Sequence, residues 1–223
     1  MHKQILGIAL LFFLAPAAFA AAPWVEGQHY FQIEPAPPRS LPAGHAQVTE
    51  VFSYGCPFCA QFNPAAKQLK ASLPAGALFD FVPASFNPAE DWPMFQRAYC
   101  TAQILGIAEQ THDAMFDAVW KSGELATLDF LTRRIKRPLP TLEDAARVYN
   151  RLTGISVEKF MTTAQSAAVD AKVRAADEFV RTFRVDGTPS IIVNLKYRVN
   201  MQAIANSDEL IDLVKWLIAQ DSK

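Results

Sequence analysis

The polar and apolar positions fall into blocks of different period, and each block predicts an element. ILGIALLFFL (residues 5–14) is a long apolar run, preceded by Lys3 and broken by Pro16, with small residues at Ala18 and Ala20. A bilayer span needs roughly 20 such residues, and this run has about half of that. The pattern predicts a removed secretory signal over residues 1–20, rather than a membrane anchor, with cleavage after Ala20 or after Ala22. No cysteine follows at the cleavage point, which argues against a lipid anchor, and no later stretch is long enough to cross a bilayer.

Beyond a proline-rich lead, Tyr30–Ile33 predicts a short strand. VTEVFSY (48–54) predicts a buried one, from its β-branched and aromatic content. Phe62, Ala65, Ala66, Leu69 and Leu73 then recur at helical spacing, with Pro64 inside as an expected kink and Pro74 and Gly76 as the stop. ALFDFVPASF (77–86) predicts a second major strand. From Trp92 to about Phe183 the spacing is helical almost throughout. One stripe is Phe95, Tyr99, Ala102 and Leu105; another is Met115, Phe116, Val119 and Trp120; a third is Leu128, Leu131 and Ile135. Thr141 and Asp144 form a capping-box pattern, and Gly154 stands where that helix should end. SVEKFMTTAQSAAVDAKVRAADEFV predicts one long alanine-rich helix. PSIIVN and KYRVN predict a hairpin, and SDELIDLVKWLIAQ a closing helix capped by Ser207. The order strand, helix, strand, helical block, strand, strand, helix describes an α/β unit interrupted by helices.

Composition narrows the function. The 223 residues are 51% apolar and 19% charged, with a net charge of −1. Such a balance builds an ordinary core and offers no basic surface for nucleic acid. Only three cysteines are present, too few for a disulfide scaffold in an exported chain.

Two of the three stand two residues apart in FSYGCPFCAQF. Residue 60 is alanine, so the histidine that follows a covalent haem anchor is missing. Zinc needs four ligands. Cys100, His29, His45 and His112 lie at no knuckle-like spacing, which puts a metal site behind a redox centre. Cys56 falls where a buried strand meets a helix, and there the free N–H groups and the helix dipole favour a thiolate. Pro57 suits the first helical position, and Cys59 is one turn on. Glu50 sits mid-strand on the face of Phe52 and Tyr54. A buried carboxylate there is costly unless it has a task; the alternative is an edge-strand glutamate facing water. Cys100 lies on an apolar stripe and reads as a small core residue.

With GTPSIIVN far downstream of FSYGCPFCAQF, the chain resembles the DsbA family of periplasmic thiol–disulfide oxidoreductases. EGQHY (26–30), LPAG (73–76), RAYCTAQILGI (97–107) and VDGTPSIIVNLKYRVN (185–200) extend the likeness over nearly the whole mature chain. The resemblance implies a thioredoxin fold with an inserted helical domain. Residues 21–91 and 184–223 would form the core and 92–183 the insertion. It implies a Cys56–Cys59 disulfide, Cys56 as exposed nucleophile, Cys59 as buried resolving thiol and Glu50 as the buried acid beneath them. Pro189 would be a cis-proline facing the disulfide. Pro57, Phe58, Thr188 and Pro189 would line the approach of an extended peptide.

Three positions differ from the best-known members: Phe58 replaces a histidine, Thr188 a valine, and Phe81 falls near the lysine that pairs with the acid. The implied partners are unfolded exported proteins with reduced cysteines and a quinone-linked, DsbB-like membrane reoxidase. A monomer in the periplasm is implied, with no cofactor, no metal and no nucleic acid. The competing functions are a disulfide isomerase or reductase of the same fold, and a non-catalytic peptide-binding chaperone.

Overall fold

The computed structural model describes residues 24–35, 41 and 45–220, so the predicted export signal lies outside the described residues. One mixed sheet has the order β1-β5-β4-β2-β3. Its strands are β1 (Tyr30–Gln32), β2 (Ala46–Phe52), β3 (Ala77–Pro83), β4 (Ser190–Val193) and β5 (Tyr197–Val199). The parallel pair is β2 with β3; β4 runs antiparallel to β2 and to β5, and β1 antiparallel to β5. The helix α1 (Pro57–Ser72) follows β2, and α7 (Ser207–Gln220) closes the described chain. Between β3 and β4 come α2 (Trp92–Ile104), α3 (Ala108–Trp120), α4 (Leu142–Thr153), α5 (Val157–Ala164) and α6 (Ala167–Thr182).

The interior strand β2, between β4 and β3, is buried on both faces, which explains its nearly continuous apolar sequence. Val48 packs with Leu69 of α1 and with Leu210, Leu213 and Leu217 of α7. Phe52 and Tyr54 join Phe95, Tyr99, Met115 and Phe116 of α2 and α3, in the same cluster as Cys56 and Cys59. On the opposite face Val51 and Ile192 meet Phe183 and Val185. The turn that carries the two cysteines is thus packed against α2 and α3 as well as the sheet.

Several boundaries differ from the sequence expectation. Strand β2 starts earlier, at Ala46, and Ser53 and Tyr54 belong to the following turn. Helix α1 runs unbroken through Pro64. The stripe Leu128, Leu131 and Ile135 is not a helix: Leu128 and Ile135 form an isolated antiparallel bridge, and Leu131 is 95% exposed. Asp129 explains this, because its carboxylate accepts from the amides of Leu131 (3.0 Å) and Thr132 (2.7 Å) and so competes with helical pairing. The alanine-rich stretch is two helices, since Ser166 leaves the first and caps the second by accepting from Val169 N. Helix α7 is capped by Asn206, whose Oδ1 accepts from Glu209 N at 3.0 Å, and Ser207 is its first residue. The Thr141–Asp144 capping box and the left-handed Gly154 at the end of α4 are both present.

Candidate active site

The turn between β2 and α1 is built by its own short side chains. Ser53 O accepts from Cys56 N at 3.1 Å, and Ser53 Oγ from Gly55 N at 3.2 Å. A side chain at Gly55 would put its Cβ 2.5 Å from the indole nitrogen of Trp92, so only glycine fits beneath that ring. Cys56 is the N-cap residue of α1, with Pro57 in its first turn. Across from it, the Thr188–Pro189 bond is cis, and Ser190 Oγ donates to Gly187 O at 2.8 Å within the same loop. Cys56 Sγ donates to the Thr188 carbonyl at 3.4 Å. All three cysteines are free thiols.

Cys56 is less open than the resemblance implied. It is 3% exposed and Cys59 is fully buried. The Thr188 loop covers the sulfur, and the preceding turn is pressed under Trp92. The exposed group here is Phe58, at 66%, beside an exposed Pro57; Thr188 and Pro189 are half-buried.

The two thiols have opposite acidities. Cys56 is lowered to about 6, chiefly by the hydrogen bond from Cys59 against the opposing effect of burial. The Thr188 hydroxyl and the amides of Cys59 and Phe58 lower it further. As a thiol, Cys56 makes no side-chain cap bond, so these amides act on the thiolate, as the free N–H groups of a helix start do. Cys59 is raised well above an ordinary thiol by burial, then by the hydrogen bond and charge of Cys56 and by the charge of Glu50.

Glu50 is 1% exposed and lies within the interior strand β2, opposite Phe81 on β3 and Ile191 on β4. The edge-strand alternative therefore falls. Burial, with a smaller contribution from Cys56, raises its carboxyl to about 8. Its Oε2 has no hydrogen-bond partner. With Phe81 at the facing position, no cation offsets the burial there.

Three residues were not singled out for the site by sequence. Trp120 Nε1 donates to Tyr54 O at 2.8 Å. His112 Nδ1 lies 3.0 Å from Tyr54 Oη, and its ring is enclosed by Phe52, Phe81 and Phe116. Burial pushes this imidazole down to about 4, so it is neutral at physiological pH. Trp92 covers Gly55. Trp120 and its stripe read only as core, and nothing local tied His112 or Trp92 to a turn far back in the chain. Cys100 is 1% exposed and raised to about 12 by burial, the behaviour of a core residue. Among the described residues no group of three His, Cys, Asp or Glu is placed to hold a metal ion.

Two thiols of opposite acidity at a helix start are equipped to exchange disulfides, and the fold is the one on which thiol–disulfide oxidoreductases of thioredoxin type are built. A family model described as Thioredoxin matches residues 42–213, and the chain belongs to that family. Its relatives are more specific. The thiol:disulfide interchange protein DsbA of Pseudomonas aeruginosa is 28% identical over 217 residues, covering 97% of this chain and 93% of that protein. DsbA of Azotobacter vinelandii is 28% identical, covering 99% and 98%. The crystal structure of oxidoreductase DsbA from Xylella fastidiosa superposes with a TM-score of 0.74 at 29% identity, over 88% of this chain and 97% of that one. The α/β thioredoxin fold and the likeness to DsbA thus hold over nearly the whole chain.

Proposed function

We propose that the protein is a disulfide oxidase, which passes a Cys56–Cys59 disulfide to unfolded exported proteins carrying reduced cysteines. A substrate thiolate attacks Cys56 Sγ; a substrate–Cys56 bond forms, the Cys56–Cys59 bond breaks, and Cys59 leaves with the electron pair. Burial disfavours a Cys59 thiolate, so the leaving sulfur takes a proton, which Glu50 holds at neutral pH. A second substrate thiolate then attacks the substrate sulfur of the mixed disulfide, and Cys56 departs as a thiolate. The substrate has lost two electrons and its thiol protons, and the enzyme pair has gained the electrons. The low pKa of Cys56 speeds that departure and favours the reduced enzyme.

Pro57 and Phe58 on one side and Thr188 and Pro189 on the other are assigned to substrate binding. In the mixed disulfide Cys56 carries no proton, so the Thr188 carbonyl is released for an extended peptide. The signal pattern of residues 1–20 supports a periplasmic location. There a quinone-linked, DsbB-like membrane protein would accept the two electrons and restore the disulfide, with the protein acting as a monomer.

The observation that carries this reading is the pairing of an acidic Cys56 with a proton-retaining Cys59. The test is stoichiometric: oxidised protein is mixed with a reduced multi-thiol protein, and free thiols are counted by alkylation and mass. One substrate disulfide per enzyme, lost in Cys56→Ser, is expected. A protein that reshuffles or only reduces disulfides, or binds without exchange, returns no new disulfide.

A further inference from the structure

The segment between α3 and α4 has no part in the chemistry above, yet it is built with care. It leaves the core at Leu125, Ala126 and Thr127, all buried, and returns through the Leu128–Ile135 bridge. Lys136 N donates to Thr127 O and Asp129 N to Arg134 O, both at 2.8 Å. The tip is fixed by the Asp129 carboxylate, which takes the Leu131 and Thr132 amides and, at 2.9 Å, the Thr132 hydroxyl. A rigid tip of this kind holds Leu131 almost wholly in solvent, at 95% exposure, beside Phe130 at 47%.

Four cations follow these apolar side chains within five residues: Arg133, Arg134 and Arg137 are exposed, and Lys136 Nζ donates to Gly123 O at 3.3 Å. Among the described residues no carboxylate forms an ion pair with any of the three arginines. An apolar point followed by three arginines without carboxylate partners matches one surface in particular, an anionic bilayer. There the apolar groups enter the headgroup region while the arginines meet lipid phosphates. The tip also faces a definite part of the molecule. Phe130 stacks on Trp120 with centroids 6.2 Å apart, and Trp120 donates to Tyr54 O, two residues before Cys56.

We propose that the Asp129–Arg137 loop docks the protein transiently on an anionic phospholipid surface, with Phe130 and Leu131 inserted and the exposed Arg133, Arg134 and Arg137 on the headgroups. The Trp120 link would hold the Cys56 end of the fold close to the membrane. Docking does not depend on the redox reading, because lipid binding is measured without the thiols.

The experiment is co-sedimentation of the mature protein, without residues 1–20, with vesicles of phosphatidylglycerol and phosphatidylethanolamine, and with vesicles of phosphatidylcholine alone, at low and high salt. Binding to the anionic vesicles at low salt, weakened by salt, is expected. Each arginine near the surface is worth about fivefold, so Arg133→Ser with Arg134→Ser should weaken binding by at least tenfold. Leu131→Ser should weaken it severalfold. Thermal melts and thiol exchange in solution should be unchanged in both variants, since the altered side chains are exposed. Wild-type protein that ignores anionic vesicles overturns the proposal, as it would if the loop received an acidic protein instead. Binding that survives either substitution also overturns it.

Discussion

Cys56 Sγ and the carbonyl oxygen of Thr188 lie 3.4 Å apart although 132 residues separate them in the chain. Two segments on opposite sides of the helical block therefore meet at one sulfur. The contact shields Cys56 while leaving its thiolate supplied with donors, and acidity rather than exposure becomes the property that marks it.

Thiolate absorbance against pH should place Cys56 near 6. In the dithiol protein at about pH 6.5, iodoacetamide should modify Cys56 well before Cys59, because only the thiolate reacts. The linked stability has a definite sign. The Cys56 value is depressed on folding, so its contribution is fully present above the ordinary thiol value of 9.0 and is lost as pH falls through about 6. Denaturant melts of the dithiol form should show that loss; modification of Cys59 first would reverse the assigned roles.

Phe58 is exposed and carries no charge beside Cys56. A histidine there adds an imidazolium next to the thiolate, which favours the charged sulfur. Phe58→His should lower the Cys56 pKa by roughly half a unit to one unit and make the pair more oxidising. An unchanged or higher value would mean that the intervening dipeptide does not tune this site.

Glu50 titrates in the opposite sense. Its folded value of about 8 exceeds the ordinary 4.5, so its favourable contribution is complete below 4.5 and is lost as pH rises through 8. Glu50→Gln removes that loss and should stabilise the protein at pH 8 by roughly 2–4 kcal/mol, read by urea melts. The same variant should slow substrate oxidation while leaving peptide affinity nearly intact, since Cys59 loses its proton source. Equal melts at pH 8 together with unchanged turnover would remove Glu50 from the mechanism.

Glu50 also shows how much the sequence alone discloses. The strand and the CxxC turn are legible because their signals are local: β-branched and aromatic residues, and a proline at the first helical position. Whether Glu50 faced water or core depended on sheet order, which strand propensity does not carry. The third helical stripe failed for a related reason. Leu128, Leu131 and Ile135 have helical spacing, but one Asp129 carboxylate takes the amides that a helix would need. Ser166 breaks the alanine-rich helix in the same way. Nothing in the sequence ties His112 and Trp120 to the site, because their partner, Tyr54, lies 58 and 66 residues away.

His112 supplies a separate pH signature. Its folded value of about 4 lies below the ordinary 6.5, so the folded protein is progressively penalised as pH falls from 6.5 towards 4. His112→Leu lacks a proton to bind in the unfolded state and should lose less stability across that interval, by roughly 2–3 kcal/mol relative to wild type. At pH 7.5 it should be the less stable of the two, by about 1 kcal/mol, because the Tyr54 hydroxyl loses its partner. Parallel stability curves from pH 7.5 to 4 would show that the ring is not held neutral by burial.

The central claim is that Cys56 and Cys59 form an oxidising pair, and the reduction potential of that pair against glutathione tests it most directly. A thiolate stabilised on Cys56 favours the dithiol, so the potential should lie above about −200 mV. A value near or below about −250 mV, in the range of cellular reductants, would contradict the account.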